Sequence, residues 1–159
     1  MNANNSLRVD GLVERALALN FDDLRALPEA DQVRDVRRLG AKRGGDAVGL
    51  ATILRLAGAS SEAQYITLHA GADDFHASVP LSSVSDKAVL IYQQDGAPLP
   101  AAAGGPFRFF IPDHAACRTA EIDECANVKF VDRIELTRER GFDNRPQDET
   151  EHAKLHEPG

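Results

Sequence analysis

The sequence predicts an α+β fold: a single domain of mixed β-sheets with a few short helices. Three observations carry this. Many short apolar runs of strand length are separated by Gly, Pro and Asp. Only two or three segments carry helical spacing. The two kinds of segment do not alternate as βαβ units would. A chain of 159 residues is long enough to bury one core and too short for two ordinary domains. No internal repeat, Rossmann fingerprint or phosphate loop is found; "GGPFRF" lacks the following Lys-Ser/Thr and no helix follows it.

In chain order, residues 1–6 read as a tail. "LRVDGLVERALAL" reads as two short strands around a turn at Asp10-Gly11. "NFDDLRALPEAD" reads as one short helix, capped by Asn20 or Asp22 and stopped by Pro28. "QVRDVRRL" reads as a strand with mixed faces, and "AKRGGDAVG" as a loop, because Gly44-Gly45 suits neither regular element. "LATILRLAGA" is the clearest helix: Leu50, Ile53, Leu54 and Ala57 share one face and Gly58 supplies the stop.

"AQYITLHA" and "DFHASVPL" are the next strands; in the second, Phe75, Ala77 and Val79 alternate with His76 and Ser78. "KAVLIYQQ" is more continuously apolar, as a strand buried on both faces would be. "DGAPLPAAAGGP" is a Gly- and Pro-rich loop, and "FRFFI" and "NVKFVDRIEL" are the last strands. The domain therefore spans residues 7–137, and residues 138–159, without apolar periodicity, read as a solvated tail.

A formal net charge of -7 argues against nucleic-acid binding, which needs a basic face. Its positive charge is nonetheless concentrated: Arg34, Arg37, Arg38, Lys42 and Arg43 form one strip. An acidic chain with a single basic strip suits a small anionic ligand, and the strip could steer an oxyanion or hold a phosphate. It could equally be a solvated edge that charge protects from pairing. No apolar stretch is long enough to predict a membrane span, and "MNANNSLRVD" carries neither the basic nor the apolar part of a secretory signal. A cytoplasmic location is expected, with the two cysteines as reduced thiols.

Five segments in order resemble one family, the molybdopterin-binding oxidoreductase domain of the sulfite oxidase type. They are "LRVDGLVERALALNFDDLRALP", "VGLATILRLAG", "YITLHAGADDFHASVPL", "LIYQQDGAPLPAAAGGPFRFFIP" and "NVKFVDRIELT". The resemblance implies a molybdopterin cofactor, an anionic pterin with a phosphate tail and a dithiolene holding molybdenum. It also implies oxygen-atom transfer between water and a small substrate, and a redox partner protein. Arg108 matches the Arg after the Gly-Pro pair, and Lys129 the basic residue of the "VK" step; in the family both help shape the cofactor pocket. Such cations suit a buried anion, since an Arg fork holds phosphate through charge-assisted hydrogen bonds. The strip residues Arg34 and Arg38 join them as candidate cofactor contacts.

The resemblance fails at one position. The family's molybdenum takes a Cys thiolate from the strand after the first helix, where a soft donor suits the metal. The aligned residue here is Asp35, or Arg38 in a shifted register, and no Cys precedes Cys117. A thiolate from Cys117 or Cys125 could replace it, although Glu121, Asp123 and Glu124 surround those thiols with negative charge. His114 and Cys117, with two residues between, also have zinc-ligand spacing; Cys125 follows, and a fourth ligand would have to come from His69, His76 or an acid. Their alternative is two small buried thiols beside a polar His.

"ADDFH" offers Asp73, Asp74 and His76 as an acid–base set, or simply a hairpin turn before an outward His. Three functions follow: the family oxidoreductase with an altered metal position; an inactive scaffold of the same fold binding an anion, a pterin or a protein; and a His/Cys metal-binding domain.

Overall fold

The structure, a computed structural model, describes residues 6–41, 44–112 and 128–144. Two five-stranded sheets pack across a common core. The first holds, in spatial order, β2 (Leu17–Leu19), β1 (Leu7–Gly11), β10 (Arg133–Thr137), β5 (Tyr65–Ala70) and β6 (Phe75–Pro80). Its strands are antiparallel except that β1 and β10 run parallel, with Val9 opposite Ile134. The second sheet runs β3 (Gln32–Val33), β4 (Asp46–Gly49), β7 (Val89–Gln94) and β8 (Ala97–Pro98), and β9 (Arg108–Phe110) also pairs with β7. This is the mixed-sheet α+β architecture expected.

Alternation along the strands builds the core. Ile66, Leu68, Ala77, Val79, Ile134 and Leu136 of the first sheet are fully buried, facing Val48, Leu90, Tyr92 and Phe109 of the second. Helix α2 (Leu50–Ala57) lays Leu50, Ile53 and Ala57 into the same core and ends at Gly58. Helix α1 (Phe21–Arg25) is fixed by a reciprocal cap: Asn20 Oδ1 accepts from the Asp23 N–H at 2.8 Å, and Asp23 Oδ2 from the Asn20 N–H at 3.0 Å. A third short helix, α3 (Leu81–Val84), closes the turn after β6.

β7 is buried on both faces, as its unbroken apolar run requires. Leu90 and Tyr92 face the main core, whereas Val89 and Ile91 face a second, smaller one with Val36, Ala47, Leu99, Ala103 and Phe110.

Several elements differ from expectation. The hairpin of β1 and β2 turns over residues 12–16 rather than at Asp10-Gly11, which stay in β1. The "QVRDVRRL" strand stops at Val33; Asp35 takes a left-handed conformation (φ 54) and a 3-10 turn follows over Val36–Leu39. Val33, Val36 and Leu39, spaced by three, all reach the second core, following the three-residue period of a 3-10 turn rather than the two-residue alternation of a strand. Part of the expected Gly-rich loop, Asp46–Gly49, is strand β4. "NVKFVDRIEL" becomes a strand only at Arg133, because Phe130 takes a positive φ of 57.

Residues 141–144, expected to be solvated, lie on the polar face of β6. The Gly141 N–H donates to Ser78 Oγ at 2.9 Å, and Asp143 Oδ2 accepts from the Ser78 N–H at 2.8 Å. Only glycine fits at 141, since a Cβ there would meet Thr67 Oγ1. Hydrogen bonding, not apolar burial, holds this segment, so hydropathy gives no sign of it.

Candidate functional site

The outer face of the second sheet carries the candidate site, over the floor that Val36, Ala47, Ile91, Leu99 and Ala103 provide. Two corners flank that floor. One is the turn after β3. There Asp46 Oδ1 accepts the Asp35 N–H at 3.0 Å, and Asp46 Oδ2 accepts Gln93 Nε2 at 2.8 Å. Arg37 grips Asp35 as a fork, with Nε 2.8 Å from Oδ1 and Nη2 2.9 Å from Oδ2. This guanidinium holds the Asp35 carboxyl below its ordinary range. A cleft of about 420 Å³ opens here, lined by Asp35, Arg37, Asp46, Gln94 and Asp95 with three glycines.

The strip residues expected to hold a phosphate have other surroundings. Arg34 pairs with Glu29 at 2.7 Å and with Asp46 at 3.4 Å, which lowers the Glu29 pKa and raises its own. Arg38 is exposed on the 3-10 turn and adds to the positive field on Asp35. Lys42 and Arg43 lie outside the described residues.

The other corner brings Arg108 and Lys129 together, although 21 positions separate them (129 − 108 in the sequence). The Phe130 N–H donates to Gly104 O at 2.8 Å, and the Phe109 N–H to Val128 O at 2.8 Å, so the two segments run side by side. A Cβ on Gly104, whose φ is 96, would lie 3.1 Å from both Arg108 Cδ and Lys129 Cγ. The two side chains thus straddle a bare backbone position, Arg108 half-buried and Lys129 exposed. This pairing of cations over a glycine suits the anionic part of a ligand. Gly104 and Asp46 were not singled out by the sequence; the two glycines before Pro106 were the only sign of the first.

Asp35 does not suit a metal in the same way. Both its oxygens already accept from Arg37, and a carboxylate is a harder donor than a thiolate. His114, Cys117 and Cys125 lie outside the described residues. Among the described residues, no three His, Cys, Asp or Glu side chains gather as metal ligands. Tyr92, below the floor, donates to Gln32 Oε1 at 2.6 Å, and burial raises its pKa.

Comparison with known proteins agrees with this fold. The chain matches the family described as oxidoreductase molybdopterin binding domain over residues 2–144. It belongs to that family. It is 34% identical over 113 residues to the putative protein-methionine-sulfoxide reductase subunit YedZ1 of Azospira oryzae, covering 67% of this chain and 42% of that protein. It is 30% identical over 112 residues to the uncharacterized oxidoreductase YuiH of Bacillus subtilis, covering 67% of this chain and 56% of that protein. The chain therefore spans about half the length of these curated relatives. The crystal structure of the sulfane dehydrogenase SoxCD from Paracoccus pantotrophus shares the fold, with a TM-score of 0.63 and 22% identity over 88% of this chain and 40% of that one. Family membership implies a molybdenum cofactor. Among the described residues, no helix is long and apolar enough to cross a membrane.

Proposed function

We propose that this domain is a binding module of the molybdopterin oxidoreductase family rather than an oxygen-atom-transfer catalyst. It takes an anionic pterin of the molybdopterin kind, with Arg108 and Lys129 as its cationic contacts, and gives no metal ligand from the turn after β3. The observation that carries this is the Asp35–Arg37 fork at the position aligned with the family thiolate. A carboxylate forked by a guanidinium has its charge already matched, and it is a harder donor to a metal than a thiolate. The net charge of -7 supports a compact anion rather than a nucleic acid as the partner.

The test is pterin content, read as fluorescence after acid oxidation, in protein from a host that makes the cofactor. Arg108→Ala and Lys129→Ala are each expected to lower pterin or pyrophosphate affinity by about tenfold or more, the effect of one charge-assisted hydrogen bond. Affinity unchanged in both would remove the reading.

One observation favours a second reading, in which the domain is catalytic with a thiolate from Cys117 or Cys125. The segment bearing them leaves after β9 and returns at Val128, where Val128 O accepts the Phe109 N–H beside Arg108. Oxygen-atom transfer by the unmodified chain, lost in Cys117→Ser or Cys125→Ser, would establish it.

A further inference from the structure

The outer face of the first sheet carries a histidine pair that has no part in the candidate site. His69 on β5 and His76 on β6 are direct cross-strand partners, and their Nδ1 atoms lie 2.8 Å apart. His69 Nε2 is 3.0 Å from Glu135 Oε1, and His76 Nε2 is 3.1 Å from Asp74 Oδ1. Both rings are largely covered, their side chains 13% and 17% exposed. Phe142 stacks on His76 with ring centroids 4.7 Å apart, and Asn144 accepts the His76 N–H.

A count of protons shows what the arrangement lacks. An ionised carboxylate can only accept, so each Nε2 that faces one carries a hydrogen. Two neutral imidazoles hold two protons in all. The two Nδ1 atoms then meet as lone pairs at hydrogen-bonding distance. A positive centre between them resolves the conflict.

We propose that this centre is a divalent transition-metal ion, zinc or copper, bound by His69 Nδ1 and His76 Nδ1. Imidazole nitrogen suits these metals. A ligating His usually donates its other ring N–H to a carboxylate, which fixes the tautomer and turns the ring toward the metal; Glu135 and Asp74 stand in that place. Directly opposed strand residues have Cβ atoms about 4.5–5.5 Å apart, so two rings can reach one ion. Two nitrogens on a tetrahedral ion with bonds of about 2.0–2.1 Å lie about 3.3 Å apart, which asks the rings to part by about 0.5 Å. Phe142, 53% exposed, has room to follow. No third side chain of the ligating kinds converges among the described residues, so water completes the coordination and the ion exchanges. Arg133, whose guanidinium lies 3.5 Å from Glu135 and 2.9 Å from Asp10, keeps the carboxylate from adding itself as a ligand.

The test is titration of the metal-stripped 159-residue chain with zinc chloride by calorimetry, with Cys117 and Cys125 replaced by Ser so that thiols do not contribute. One ion per chain is expected with Kd below about 100 μM. His69→Gln and His76→Gln should each weaken it about tenfold or more, and Glu135→Gln should weaken it without changing the stoichiometry. On the unmodified chain, electron paramagnetic resonance of added copper(II) should show two imidazole nitrogens, a reading that does not depend on any variant folding. No binding by about 1 mM metal, affinity unchanged in both His variants, or a single coordinated nitrogen would overturn the proposal. A shared proton seen by nitrogen NMR with no response to metal would show that the pair holds a proton only.

Discussion

Replacing Gly104 by Ala tests whether the Arg108–Lys129 corner binds the anion. Gly104 has φ 96, and a left-handed conformation costs a residue with a Cβ about 1–2 kcal/mol. The new methyl would lie 3.1 Å from Arg108 Cδ and from Lys129 Cγ, and 3.3 Å from Lys129 Cβ. Those carbons belong to flexible side chains and can yield, but in yielding they spread the two cationic heads. Stability should fall by about 1–2 kcal/mol, which for a chain of this size is about 2–8 °C in Tm. Urea unfolding should show a lower midpoint at constant slope. Pyrophosphate or pterin affinity, measured by calorimetry well below the new Tm, should fall by about tenfold. Reduced stability with unchanged affinity would refute the assignment of the site. Unchanged stability would refute the backbone argument beneath it.

Other outcomes follow from the same structure. Asp143→Ala removes an acceptor from the N–H of Ser78, which is fully buried. It should cost about 1–3 kcal/mol in urea unfolding, whereas a solvated tail would give no change. Arg37→Gln should raise the Asp35 carboxyl toward its ordinary range, read by carbon NMR. In the unmodified chain the Asp35 pKa is lowered on folding, by Arg37. The stability from this pair is therefore complete above the unfolded carboxylate range of about 4 and is lost as pH falls through the lower folded value.

The strands were legible where burial is one-sided or complete. Ala77 and Val79 against His76, and the unbroken run of β7, follow from period-two patterning, and α2 from its spaced apolar face. The turn at Asp35 was not legible. Val36 breaks the two-residue alternation of a strand through Val33 and Leu39, and the spacing of three makes sense only with the left-handed Asp35, whose N–H Asp46, eleven positions on, accepts.

At the site, Arg108 and Lys129 were readable through family resemblance, but their meeting over Gly104 needed two segments to run side by side. The His69–His76 pair is invisible without the β5–β6 register, since only pairing puts the rings opposite each other. The segment over Ser78 was hidden for a different reason: the Gly141 N–H donates to Ser78 and Asp143 accepts from it, and hydropathy does not weigh such bonds.

The most direct test of the central claim is oxygen-atom-transfer turnover measured together with pterin content, on protein from a host that makes the molybdenum cofactor. Sulfite and a methionine sulfoxide would serve as probes with an artificial redox dye. The account predicts bound pterin that depends on Arg108 and Lys129, with no turnover above free cofactor, because Asp35, the residue we align with the family thiolate, is a carboxylate held by Arg37. Turnover by the unmodified chain would contradict it.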